Sequence, residues 1–163
     1  MKTDFTIAAG TIDRLLRNQA GLNEYIGFED HELLAVASLA VCLYVQGRTS
    51  EALTIFDGLI ALDPKLYLGH AALGAMDLAG ERLDSALKHL TRALELHPND
   101  SSVQANAGEV LLRQGKFSEA TRHFEQALAL DPQNEEPGTN RARSIVARLK
   151  LVTPETQQPD LSS

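Results

Sequence analysis

LIALDP (59–64), ALELHP (93–98) and ALALDP (127–132) are three versions of one phrase. Their prolines, Pro64, Pro98 and Pro132, stand 34 residues apart at each step. A proline cannot continue a helix and biases the residue before it away from helical backbone, so each phrase reads as the end of a helix rich in Ala and Leu. Three such stops at one spacing describe a unit repeated three times. A period of 34 residues suits a helix–turn–helix unit.

The register holds away from the prolines. With the units set at 33–66, 67–100 and 101–134, Ala52, Ala86 and Ala120 share position 20, and Phe56, Leu90 and Phe124 share position 24. Position 27 carries Leu59, Ala93 and Ala127, position 7 carries Leu39, Leu73 and Ala107, and position 8 carries Ala40, Gly74 and Gly108. Small residues belong where two helix backbones approach, and large ones fill the space beside them. Gly47, Gly80 and Gly115 are the expected turns within the units, with Gly80 one residue early. Ser50, Asp84 and Ser118 are the expected caps of the second helices. On these residues the chain resembles the tetratricopeptide repeat family over 33–134. It departs from that pattern at position 4, where Val36, His70 and Gln104 replace an aromatic, and at Asp77, position 11 of the middle unit. The implied fold is all-α, a right-handed superhelical solenoid of three repeats with flanking N- and C-terminal helices.

A solenoid needs covers for its first and last apolar faces. TNRARSIVARLK (139–150) sets Ile145, Val146 and Leu149 against arginines and reads as a capping helix within 135–150. Residues 151–163 have two prolines and no periodicity and read as a loose tail. At the other end, residues 1–32 read as a helical extension. TIDRLLRNQA (11–20) carries an apolar stripe of Ile12, Leu15 and Leu16, and a connector runs from Asn23 to Asp30, the expected cap of the first repeat helix.

Composition bounds the function. A length of 163 residues fits one domain. A hydrophobic share of 44%, a charged share of 23% and few aromatics describe a globular, helix-favouring chain. A formal net charge of -7 argues against a nucleic-acid partner, which needs clustered Lys and Arg. One cysteine, Cys42, cannot form an intramolecular disulfide, and no run is long enough to span a membrane; a cytoplasmic, reducing setting is expected, with no membrane insertion.

Catalysis is not expected. His89 and His123 share position 23 and read as exposed polar residues, too poorly supplied with further ligands for a metal site. His97 stands where the sister units carry Asp63 and Asp131, and reads as a loop residue. Cys42, in an apolar helix, reads as buried and inert. Gly69, Gly74 and Gly80 lack the strand and the Lys-Ser or Lys-Thr of a phosphate loop. No cofactor and no metal is implied.

In tetratricopeptide repeat proteins the first helix of each unit lines a concave groove, and the resemblance assigns its residues here. They are Leu34, Ala37, Ser38, Val41, Tyr44 and Val45 in the first unit, and Leu68, Ala71, Ala72, Ala75, Leu78 and Ala79 in the second. The third gives Ser102, Ala105, Asn106, Glu109, Leu112 and Arg113. Two of the three sets are nearly uncharged, and exposed apolar surface of that kind calls for a cover. The cover is a partner, a neighbouring subunit or the chain's own N-terminal segment. With Ala37, Val41, Ala72, Ser102 and Asn106 at the relevant places, the basic clamp that holds carboxylate-ended peptides is absent. In YLGHAALGAMDLAG (67–80), His70, Leu73, Gly74 and Asp77 are expected to face the paired helices.

AAGTIDRLL (8–16) and LGHAALGAMDLAGERLDSAL (68–87) resemble the class II chaperones of type III secretion, the translocator chaperones of the SycD/LcrH type. That resemblance implies a bacterial, cytoplasmic, non-enzymatic protein. Its groove would hold an extended apolar segment of a protein partner, and its N-terminal helix would serve a homodimer. The alternative is a scaffold of the same fold that binds a folded partner.

Overall fold

The structure, a computed structural model, describes residues 29–133 and 135–152. Its elements are α1 (Asp30–Val45), α2 (Thr49–Leu62), α3 (Tyr67–Ala79), α4 (Leu83–Leu96), α5 (Ser101–Arg113), α6 (Phe117–Leu130) and α7 (Pro137–Val152). The helix expected at 11–20, most of the connector and the tail from residue 153 lie outside the described residues.

The period is written into the helix ends. α2, α4 and α6 each have 14 residues and each stops two residues before its proline. α3 and α5 each have 13. α1 packs on α2, α3 on α4 and α5 on α6, while α2 meets α3 and α4 meets α5. α7 closes the stack against both α5 and α6. The chain is thus the all-α solenoid that the repeats imply, with three helix pairs and a final single helix among the described residues. α7 opens on Pro137, whose missing N–H costs nothing in a first turn.

Each pair is held at one crossing. Ala52, Ala86 and Ala120 are fully buried, and Phe56, Leu90 and Phe124 are buried beside them. A Cβ on Gly74 would lie 2.6 Å from Leu90 Cγ, and one on Gly108 would lie 2.7 Å from the Phe124 ring. Glycine there is therefore a demand of packing. Asp77 is also inside this interface, and it is satisfied: Arg82 Nε donates to Oδ1 at 2.8 Å and Ser85 Oγ to Oδ2 at 2.5 Å.

The turn within each pair departs from expectation in the middle unit. Gly47 and Gly115 have φ of 81° and 77°, but the third left-handed residue is Glu81, at 59°. Gly80 has φ -86° and is the last residue before the turn. The turns are nonetheless alike in bonding. Arg48 N–H reaches Leu43 O at 2.9 Å, Arg82 N–H reaches Asp77 O at 2.8 Å, and Lys116 N–H reaches Leu111 O at 2.9 Å. Those bonds close helix ends in which one residue must be left-handed, so register wins over residue type.

This tight turn also overturns the expected caps. The residue before each second helix is Arg48, Arg82 or Lys116, none with a capping side chain, and Ser50, Asp84 and Ser118 lie inside the first turn. Likewise α1 starts a residue early. Asp30 is helical, and the preceding Glu29 offers its N–H to Glu32 Oε2 at 2.9 Å. α5 is capped by the residue before it, Asp100 accepting from Val103 N–H at 2.8 Å.

The histidines are a further correction. His89 and His123 are half-buried and bind across their helix pairs, because position 23 faces position 4. His123 Nδ1 lies 2.6 Å from Gln104 Oε1, and His89 Nδ1 lies 3.4 Å from His70 Nδ1. His70 Nε2 and Gln104 Nε2 turn in turn to the carbonyls of Pro64 and Pro98, at 3.1 and 3.3 Å. In the second and third units the position-4 side chain thus ties its own pair to the preceding proline turn, whereas Val36 in the first unit is an exposed apolar residue. His97 ends α4 and packs its ring against Tyr67, centroids 5.1 Å apart. Cys42 is exposed, because it sits on the side of α1 that no described helix covers.

Burial holds the pKa values of His70, His89 and His123 below the usual histidine value. The unfolded chain therefore takes up protons near pH 6.5 that the folded chain resists. Stability present above that pH is lost as the pH falls through the folded values. The melting temperature should decline from pH 7 to about 5.5, and less steeply in a His89→Gln/His123→Gln variant; parallel curves would exclude these groups as the cause. Relief of backbone strain makes a second prediction. A left-handed non-glycine residue costs roughly 1–2 kcal/mol, against which the exposed ion pair lost with Glu81 and the added freedom of the unfolded chain must be set. Glu81→Gly should raise stability by up to about 1 kcal/mol, or ~2–4 °C in a thermal melt, and a lowered melting temperature would contradict it.

Candidate functional site

The first helices supply the candidate groove. α5 touches α3 on one side and α7 on the other, so this face continues onto the C-terminal helix. Positions three and four apart on a helix share a face, and the assigned residues divide by chemistry from one end of the row to the other.

The first two helices present apolar surface. Leu34, Val41, Val45 and Leu68 are exposed, Val45 to 80%. Ser38 is exposed too, but its hydroxyl is turned back onto Leu34 O at 2.9 Å. Tyr44, Ala71, Ala72 and Ala75 are half-buried and Ala79 is open. Ala37, Leu78 and Ala105 are buried, at 6%, 5% and 2% exposure, and belong to the packing beneath the face. Alanines between larger flanking side chains leave shallow room above the helix backbone.

The third helix is different. Arg113 bridges Glu109 and Glu81, each at 2.5 Å, and Arg141 from α7 reaches Glu109 at 2.7 Å and Asn106 Oδ1 at 3.1 Å. Burial alone would lower the Arg113 pKa, but its hydrogen bonds to Glu109 and Glu81 outweigh it and hold the guanidinium charged. Ser102 Oγ donates to Glu136 Oε2 at 3.0 Å, and Leu112 is half-buried. Arg141 of α7 thus joins Asn106 and Glu109, and Glu109 in turn pairs with Arg113. The groove runs from apolar to ionic.

Arg141 is the residue that sequence reasoning missed. The arginines of 139–150 look like a solvated face opposite Ile145 and Val146, and the burial of Val146, Ala142 and Thr139 supports that inner face. The repeat register gives no signal for it: carried one unit further it aligns Arg141 with Leu73 and Ala107, which are buried, whereas Arg141 is exposed and pairs with Glu109 of α5. The side chain of Leu149 lies outside the described residues.

A second concavity of about 850 Å³ opens among the second helices, lined by Ile60, Pro64, His70, Leu87, His89, Arg92 and Lys116. Among the described residues no group of three or more His, Cys, Asp and Glu side chains is gathered as a metal site would require. No described helix is long and apolar enough to cross a membrane.

Models of the tetratricopeptide repeat match residues 2–67 and 66–133. Among curated proteins, DnaJ homolog subfamily C member 3 of Rattus norvegicus is 32% identical over 95 residues, which is 58% of this chain and 19% of that protein. Superkiller protein 3 of Schizosaccharomyces pombe is 31% identical over 65 residues, 40% of this chain and 5% of that protein. The chain therefore spans about a fifth or less of these relatives. Solved structures match over more of their length. The type III secretion translocator chaperone SycD of Yersinia enterocolitica superposes with TM-score 0.69 at 25% identity, over 76% of this chain and 96% of that one. A type III secretion complex from Aeromonas hydrophila gives TM-score 0.75 at 22% identity, over 88% and 97%. PcrH, solved with the chaperone-binding region of PopB, gives 0.65 at 24%, over 73% and 98%. The two sequence matches together run from residue 2 to residue 133, the helix pairs repeat in the same register, and the fold is shared with these chaperones: the chain belongs to the tetratricopeptide repeat family.

Proposed function

We propose that the chain is a protein-binding module that acts as a secretion chaperone, its groove holding an extended apolar segment of a protein partner. The observation that carries the reading is the apolar half of the groove. Leu34, Val41, Val45 and Leu68 stand exposed on two successive first helices, with Ala71, Ala72 and Ala75 as the floor between them. Leaving such side chains in water is unfavourable, and covering them returns roughly 25 cal/mol for each Å² removed from solvent. Ordering an extended segment offsets part of that gain. The likeness to SycD and PcrH, which are solved with a translocator peptide and with a chaperone-binding region, supports a peptide as the guest.

The ionic half gives the groove a limit. Glu81, Arg113, Glu109 and Arg141 neutralise one another, so this end offers no net charge to attract a charged tail. An apolar guest is favoured over the acidic chain ends that basic clamps select. A second reading, a scaffold for a folded partner, is favoured by the concavity among the second helices, whose Arg92, Lys116 and histidine walls are polar. On that reading the groove substitutions below would leave assembly intact.

The two are separated by a charge placed on the groove floor. Extended Leu- and Val-rich peptides, fluorescently tagged, should bind the wild-type chain, and Ala72→Glu or Ala75→Glu should weaken binding at least ~30-fold, about 2 kcal/mol, by stranding a carboxylate under the guest. Far-UV circular dichroism should be unchanged. Undiminished peptide binding by a folded Ala72→Glu chain would sink the groove assignment. Co-expression with a membrane-inserting client tests the chaperone role separately, since the client should stay in the soluble fraction only with the wild-type groove.

A further inference from the structure

The concavity of about 850 Å³ among the second helices shares no lining residue with the candidate groove. α4 crosses its middle. Asp84, Lys88, Arg92 and Glu95 line it at steps of three and four residues, so they form one face of that helix. Ile60 and Pro64 bound it on the α2 side, and Gln114 and Lys116 on the side of the α5–α6 turn. The packing of the repeat does not require these charges. Arg92 and Glu95 have Gly58 and Ala61 as counterparts one unit earlier, and Gln126 and Ala129 one unit later. The charges are also unevenly satisfied. Arg92 pairs with Glu95 at 2.8 Å, and Gln114 Nε2 donates to Asp84 Oδ1 at 3.0 Å. Lys88 and Lys116 are exposed and have no ion-pair partner among the described residues. With Arg92 and Glu95 cancelling, the walls set two lysines against Asp84, a net positive surface on a chain of formal net charge -7. Burial holds His70 and His89, which also line it, below the usual histidine value, so near pH 7 the lysines carry the charge.

We infer that this concavity is a second docking site and that its occupant is an extended acidic segment of a protein partner, with carboxylates on Lys88 and Lys116 and an apolar side chain against Ile60 and Pro64. Charge complementarity selects the acid, since the two cations left without an ion pair are what the site offers a partner. The aliphatic wall selects a peptide over a simple anion. A nucleic acid is disfavoured, because its unbroken row of phosphates would face Asp84 and Glu95, whereas a peptide can space its carboxylates to avoid them. The volume lies within the roughly 300–1,000 Å³ usual for ligand clefts, which fits a short segment rather than a whole domain face. The inference does not rest on the groove's guest, and the experiment keeps the two apart.

The probe is a fluorescein-tagged peptide of about ten residues alternating Glu and Leu, with a Gln-and-Leu peptide as its control. In fluorescence anisotropy at about 50 mM salt, the acidic peptide should bind the 163-residue chain at least ~10-fold more tightly than the control. Raising the salt to about 300 mM should erase most of that difference, because contacts to exposed lysines are screened. Lys88→Glu/Lys116→Glu should weaken acidic-peptide binding at least ~10-fold with circular dichroism unchanged, and should leave the Leu- and Val-rich peptides of the groove bound as before. If that chain fails to fold, Lys88→Ala/Lys116→Ala is to be used, with a loss of at least ~3-fold. Arg143→Glu/Arg148→Glu, which reverses charge on α7, and Ala72→Glu, which tests the groove, should leave the acidic peptide's affinity unchanged. Equal binding of the two peptides would overturn the inference, as would undiminished binding by a folded lysine variant. Loss of binding in the α7 variant or in Ala72→Glu would overturn it by moving the peptide elsewhere. A dimer mass in light scattering that the lysine substitutions abolish would overturn it in favour of a second copy of the chain.

Discussion

One distance governs this molecule, the separation of the two helices in each pair where a residue at position 8 meets residues at positions 20 and 24. In the second and third pairs there is no room for a side chain at position 8, since a Cβ would come within 2.7 Å of Leu90 or Phe124. In the first pair Ala40 takes that place, fully buried against the same kind of core. Close packing at this crossing sets the angle of each pair, and the angle sets how successive first helices fan into a shared face. The face of the candidate groove is therefore set by glycines and alanines buried beneath it.

That crossing is also why so much of the fold was legible. Small residues and prolines recurring every 34 positions are demands of sterics, and sterics leaves few alternatives. Helices α2, α4 and α6 begin and end in one register. What was not legible depended on choices several residues can satisfy. The left-handed turn position is dictated by the backbone bonds to Leu43, Asp77 and Leu111, so Glu81 holds a conformation that glycine one residue earlier seemed to claim. Position 23 looked like surface because histidine is polar, and only the pairing with position 4 shows it to be an interface. Cys42 sits in an apolar run, yet which apolar residues are covered depends on the neighbour and not on the run.

The groove shows the same division. Its apolar half follows from helix periodicity alone. Its ionic half depends on α7, whose Arg141 comes from a helix outside the three repeats and joins Glu109 and Asn106. Exposed ion pairs of this kind contribute little to stability individually. On the proposed reading their effect would be on selectivity, because a neutralised cluster neither recruits a carboxylate nor welcomes an unpaired charge beside it. The boundary between the halves falls between α3 and α5, inside the solenoid, so on the proposed reading a guest lying along the whole face would meet two environments in succession.

The ladder from proline carbonyl to position 4 to position 23 has a consequence for how such an array can change over generations. Its side-chain partners, His70 with His89 and Gln104 with His123, belong to the same unit, whereas its link to the previous unit is a main-chain oxygen that any sequence provides. A duplicated or deleted unit would carry its matched pair with it and find the same acceptor waiting at the new junction. Side-chain identity can thus drift independently in each unit without spoiling the joints, and an array built this way can grow or shrink by whole repeats while each retains its private chemistry.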